Sequence, residues 1–107
     1  MPWVKLDDSF YSHPKVVNAG HEAIGLYVIS LTYASHQLTD GHVPAAWVKQ
    51  QVGSRTSKLA GVLVEHALWE QNGTGWVIHD YLNYNPSRES IVEKRRKDSV
   101  RKAGGIQ

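Results

Sequence analysis

The clearest hydrophobic pattern in the chain is HEAIGLYVISLTYASHQL, residues 21–38. Ile24, Tyr27, Val28, Leu31, Ala34 and Leu38 recur at three- and four-residue spacing, which predicts a helix. Ala23, Leu26, Ser30 and Tyr33 add a second, partly apolar side, so this helix is expected to be central and packed from several directions. Upstream, Pro14 and Gly20 stand where a helix tolerates proline and where it stops, bounding a short helix near 13–19. PWVKL at 2–6 alternates apolar and polar residues and predicts a strand. Downstream, TDG at 39–41 ends the long helix, and HVP at 42–44 is a brief extended piece. Pro44 opens the two-turn helix AAWVKQQV, with Val48 and Val52 on one face. GS at 53–54 breaks it, and Ser54 is expected to cap the next helix. That helix, RTSKLAGVLVEHALW, carries Leu59, Val62, Leu63, His66 and Ala67 on one face.

The period then falls to two. LWEQ and WVIHDY alternate as strands do, with Asn-Gly between them, the favoured pair for a type I′ hairpin turn. Such a hairpin is marginal alone. It is expected to pair with the strand near Val43 and to close the core through Leu68, Trp69, Trp76 and Ile78, leaving its tip, Gln71–Gly75, to project. Trp3, Trp69, Trp76, Tyr27 and Tyr33 all sit in apolar patterns and read as core. NYNPSRES is a turn with a capping serine, residues 88–102 read as a charged exposed helix, and AGGIQ reads as a frayed end. The order of elements predicts an α+β winged helix-turn-helix. It has a three-helix core, a C-terminal β-hairpin wing and an extra charged C-terminal helix. Residues 1–86 form the winged-helix domain and 87–107 a basic helix or tail.

Length and composition narrow the function. A chain of 107 residues with 41% apolar residues fits one domain. It has no cysteine, and so no disulfide framework or thiolate metal site. No apolar run nears the roughly 20 residues that span a bilayer, and MPWVKLDD lacks a signal pattern, so a cytoplasmic protein without membrane contact is expected. Residues 1–86 carry five Lys/Arg against seven Asp/Glu, net −2, while residues 87–107 carry seven against three, net +4. A basic terminal segment on a near-neutral body commonly tracks an anionic partner such as nucleic acid.

Three stretches, PWVKLDDSFYSHPKVV, HQLTDGHVP and ALWEQNGTGWVIHDYLNYNPSRES, carry a resemblance over about residues 2–95. The chain resembles the N-terminal domain of phage and actinobacterial replication initiator proteins, winged-helix proteins similar to phage replisome organisers and DnaD-like primosome proteins. Ala67 stands where a glycine is common in that pattern. The resemblance implies double-stranded DNA binding at an origin or operator, or recruitment of replication proteins as partners.

The candidate DNA contacts follow from the third helix. A helix N-terminus offers free N–H groups and a positive dipole end to phosphate. Ser54, Arg55, Thr56, Ser57 and Lys58 cluster there, and Lys49 projects from the helix before. Arg55 is the best candidate for a base edge, since arginine bonds guanine with two donors. Thr56, Ser57 and Lys58 suit phosphate contacts, which position without specifying. At the wing, Asn72, Thr74 and Gln71 can meet the backbone, although the wing has no Lys or Arg. In the tail, Lys94, Arg95, Arg96, Lys97, Arg101 and Lys102 would add affinity that falls with salt.

Other chemistry is not signalled. No two of the six histidines have the i, i+4 spacing of a helical zinc site, and no phosphate-cradling loop or nucleophile elbow occurs, so no enzyme, cofactor or metal is expected. The competing expectation is a protein-interaction module that exposes Trp3, Phe10 and Tyr11 as an apolar patch. A homodimer through the C-terminal helix is a third, weakened by the sparse apolar positions Ile91, Val92 and Val100. DNA binding requires Arg55 and Lys58 to be exposed with no opposing acid.

Overall fold

A computed structural model of the chain describes residues 3–85 and 87–105; the side chains of Asn83, Tyr84 and 100–105 are left aside. The elements, in order, are α1 (Pro14–Ala19), α2 (His21–Gln37), β1 (His42–Pro44), α3 (Ala45–Val52), α4 (Thr56–Glu65), β2 (Trp69–Asn72), β3 (Gly75–Ile78), α5 (Tyr81–Tyr84) and α6 (Arg88–Gly105). Single 3₁₀ turns stand before α1, at Phe10–Ser12, and before α4, at Gly53–Arg55. The strands form one antiparallel sheet in the order β1-β3-β2, with Val43 opposite Trp76 and Trp69 opposite Ile78. The result is a small α+β fold, and among the described residues no helix is long and apolar enough to cross a membrane.

The core lies between α2, α4 and the sheet. Its fully buried members include Ala34, Val43, Val48, Leu63, Trp69 and Ile78. On α2 burial is shared between the two sides: Ala23, Leu26 and Ser30 of the side expected to be secondary are buried with Leu31 and Ala34 of the primary one, while Ile24, Tyr27 and Val28 are half-buried. The reason is steric. Small residues at 23, 30 and 34 let the neighbouring helix approach closely, and bulky ones suit the margin. Tyr27 is covered there by Phe10, whose ring stacks on it at 5.9 Å.

The chain leaves α4 through a specific reversal. Leu68 N–H donates to the Leu63 carbonyl at 2.8 Å and Ala67 N–H donates to the Val64 carbonyl at 3.0 Å. This pairing is a Schellman motif, which requires a left-handed residue just past the helix. Ala67 fills that position with φ of 59°. The helix therefore ends at Glu65, and His66 and Ala67 do not extend its apolar face as the periodicity suggested. The reversal delivers Leu68 and Trp69 into the core, where Trp69 stacks on Trp76 at 5.4 Å.

Other expectations are corrected. Residues 3–7 form no strand, and Trp3 is 88% exposed rather than in the core. The segment is tied to the body by Val4, half-buried against the core, and by the Lys5 N–H, which donates to Asn85 Oδ1 at 3.1 Å. The hairpin turn is Gly73-Thr74, because Asn72 pairs with Gly75. Gly73 has no positive φ, so the turn is not type I′; Asn72 Oδ1 instead accepts from Thr74 N–H at 3.2 Å. Helix α6 continues through Gly105, past the expected frayed boundary at Ala103, while Ile106 and Gln107 lie outside the described residues. Its first turn is held by Ser87 Oγ, which accepts from Ser90 N–H at 3.1 Å, and by Asp40 Oδ1, which accepts from Arg88 N–H at 2.5 Å.

Two positions show where backbone geometry dictates the residue. A Cβ on Gly75 would stand 2.3 Å from the Val43 carbonyl oxygen and 2.8 Å from Ala45 N, whereas one on Gly73 would meet nothing within 4 Å. Gly75→Ala is therefore expected to cost about 1–3 kcal/mol in chemical denaturation, with Gly73→Ala nearly neutral. Ala67 pays for its left-handed conformation, so Ala67→Gly is expected to raise stability by about 0.5–1 kcal/mol in the same assay.

Candidate nucleic-acid interface

Helix α3 packs through Val48, which is fully buried, and Trp47, whose ring stacks on Tyr33 of α2 at 4.4 Å. Lys49 stands on its exposed side. Gly53 then turns the chain with φ of 55° and ψ of −124°, a conformation that disfavours any residue with a Cβ. The 3₁₀ turn Gly53–Arg55 leads directly into α4.

That turn changes how α4 begins. Thr56 N–H and Thr56 Oγ1 both donate to the Gly53 carbonyl, the hydroxyl at 2.7 Å. Arg55, not Ser54, occupies the N-cap position, and no side chain caps the helix there. The expected Ser54 cap is thus replaced by a backbone turn, which already satisfies a donor that a cap would serve. The Ser54 hydroxyl stays exposed.

From there α4 is two-faced. Leu59, Ala60 and Leu63 are buried, while Ser57, Lys58, Gly61 and Glu65 are exposed and Thr56 is half-exposed. The candidates Ser54, Arg55, Ser57 and Lys58 therefore occupy one continuous exposed stretch, with Lys49 on the helix before it.

The charge on this stretch is not free. Glu22, in the first turn of α2, holds the Arg55 guanidinium through two hydrogen bonds, Nε to Oε2 and Nη2 to Oε1. These hydrogen bonds, with lesser help from the charges of Arg55 and Lys58, hold the Glu22 carboxyl below the usual carboxylate range. Both exposures expected for DNA binding are met, but an opposing acid is present. The sequence carries no local signal of this, since Glu22 and Arg55 lie 33 positions apart.

At the hairpin tip Asn72 and Thr74 bond one another. Asn72 Oδ1 accepts from Thr74 N–H, and Thr74 Oγ1 stands 3.3 Å from Asn72 Oδ1 and 3.4 Å from His42 Nε2. The tip is also tied to the start of α3, where Ala45 N–H donates to the Thr74 carbonyl at 3.1 Å. On α6, Lys94, Arg95 and Lys97 are exposed, whereas Arg96 pairs with Glu93 at 2.5 Å. Arg101 and Lys102 belong to the side chains left aside.

Two other features lie outside this surface. His79 bridges two acids, with Nδ1 2.8 Å from Glu70 and Nε2 3.1 Å from Asp80. A cleft of about 660 Å³ opens between the N-terminal segment, α1 and the base of the hairpin, lined by Val4, Phe10, His13, Tyr27, Leu68 and Asp80. Among the described residues no three His, Asp or Glu side chains gather in a metal-holding group.

Comparison with known proteins returned no match to any family, any curated protein or any solved structure.

The Glu22–Arg55 pair has a definite pH signature. Because the folded pKa of Glu22 lies below its unfolded value, the pair stabilises the fold above the ordinary glutamate range. That stability is lost as pH falls through the folded value. A carboxyl ¹³C titration is expected to place the Glu22 midpoint below that of an unpaired glutamate, and Arg55→Ala to return it to the ordinary range.

Proposed function

We propose that this chain binds double-stranded DNA as a winged helix-turn-helix, with α4 as the groove-entering helix and the β2–β3 hairpin as the wing. The role is replication initiation or transcription control in a phage or mobile element, as its resemblance to replication initiators implies. The observation that carries this reading is the two-faced α4. Its inner side is sealed into the core by Leu59, Ala60 and Leu63, and its outer side presents Ser57, Lys58 and Gly61 with no large apolar residue on it. A polar helix face backed by a rigid core suits the major groove. Helix α6, with exposed Lys94, Arg95 and Lys97, supplies the sequence-independent attraction that the near-neutral body lacks.

A second reading, a protein-interaction module, is favoured by one observation. Trp3 and Tyr11 are 88% and 81% exposed, and Leu6 and Val17 are exposed as well, although Phe10, expected in the same patch, is half-buried against Tyr27. Exposed large apolar side chains that gather into a patch mark contact surfaces.

Selection from random duplexes at two salt concentrations distinguishes the two. The DNA reading expects an enriched motif that Arg55→Ala loses. It also expects the triple change Lys94→Gln, Arg95→Gln and Lys97→Gln to weaken all sequences alike and to lower the salt slope by about 3. Absence of any motif, with weak binding that these changes leave untouched, would overturn it. The interaction reading expects Trp3→Ala with Tyr11→Ala to abolish association seen in sedimentation.

A further inference from the structure

An acid on a DNA-facing surface weakens attraction to every phosphate, so Glu22 calls for a physical reason. The guanidinium geometry supplies one. Arg55 has five N–H donors in a flat fork. Glu22 occupies its side edge, the Nε–H and one Nη2–H. The end edge, made by Nη1 and the second Nη2 hydrogen, keeps two parallel donors, and no described group takes them. An arginine uses such an edge to bond guanine O6 and N7. A free arginine must give up its rotamer freedom to do so, whereas one already gripped by a carboxylate has given it up beforehand. The same carboxylate repels phosphate, which lowers binding to unselected sequences.

We propose that Glu22 is a positioning residue for base recognition: it holds Arg55 by the side edge and presents the end edge to a guanine, so that specificity rises while general affinity falls. The proposal rests on the DNA-binding reading above. It gives Glu22 a role distinct from that of an acid merely complementing the α2 dipole, because a dipole partner would not affect which base is preferred.

The test is duplex selection followed by competition binding with wild type, Arg55→Ala, Glu22→Gln and Glu22→Asp, each checked by thermal melting. Gln keeps the size and loses the charge; Asp keeps the charge and shortens the reach. The expected result is a wild-type motif containing a guanine whose preference vanishes in Arg55→Ala. In Glu22→Gln that same preference falls about tenfold, the discrimination a well-placed bidentate arginine supplies, while affinity for unselected duplex holds or rises. Glu22→Asp loses the same preference, since its carboxylate no longer reaches both donors. Preference retained in both Glu22 variants overturns the inference and leaves the DNA reading standing. An equal loss at every sequence, with a lower melting temperature, also overturns it, by making Glu22 structural. No motif in the wild type overturns the DNA reading and the inference together.

Discussion

The arrangement of this molecule depends on the left-handed reversal at the end of α4. Two hydrogen bonds, from Leu68 to Leu63 and from Ala67 to Val64, fold the chain back within three residues. They set Leu68 beside the helix it has just left and carry Trp69 into full burial. Once Trp69 is placed, its stack on Trp76 and the pairing of β2 with β3 follow. Strand β3 then holds β1, and the hairpin tip bonds the first residue of α3. The exposed face of α4 is thus fixed from both of its ends. One end is fixed by the Gly53 turn and the other by a sheet that returns to grip α3.

Much of this was legible in the sequence. The helical periods of α2, α3 and of α4 as far as Glu65, the strand at Val43 and the closure by Leu68, Trp69, Trp76 and Ile78 emerge as read, because burial imposes them directly on residue spacing. What escaped is what spacing does not encode. Two sides of α2 looked apolar, and only the closeness of its neighbours decides how burial is shared between them. Asn-Gly suggested one turn, but strand register moved the turn by a residue and made Asn72 a side-chain acceptor. Ser54 looked like a cap until a 3₁₀ turn made a cap unnecessary. Alternation at 2–6 resembled a strand, yet among its described residues, 3–6, none joins the sheet. The Glu22–Arg55 pair was invisible because it is a tertiary fact between distant residues.

The candidate surface is chemically economical. Of its basic residues Arg55 is bonded to Glu22, the β2–β3 hairpin carries no positive charge, and α6 exposes Lys94, Arg95 and Lys97. In the DNA-binding reading proposed above, attraction and discrimination would fall to different elements: the long basic helix would supply the first without reading bases, and the small cluster around Arg55 the second at the cost of general affinity. In an interaction module the same separation would leave α4 idle and shift the work to Trp3 and Tyr11.

Helix α6 is the longest helix among the described residues. Its 18 residues extend about 27 Å, and its described attachments to the rest of the chain gather at its first turn, around Ser87 and Asp40. A tilt of about 10° at that base would sweep the far end through about 5 Å, nearly the rise of one helical turn. Asp40, which accepts the Arg88 N–H at that base, therefore stands where a small change of angle would have its largest effect on the position of the exposed Lys94, Arg95 and Lys97. Any event that loosens Asp40 would be felt farthest from where it occurs.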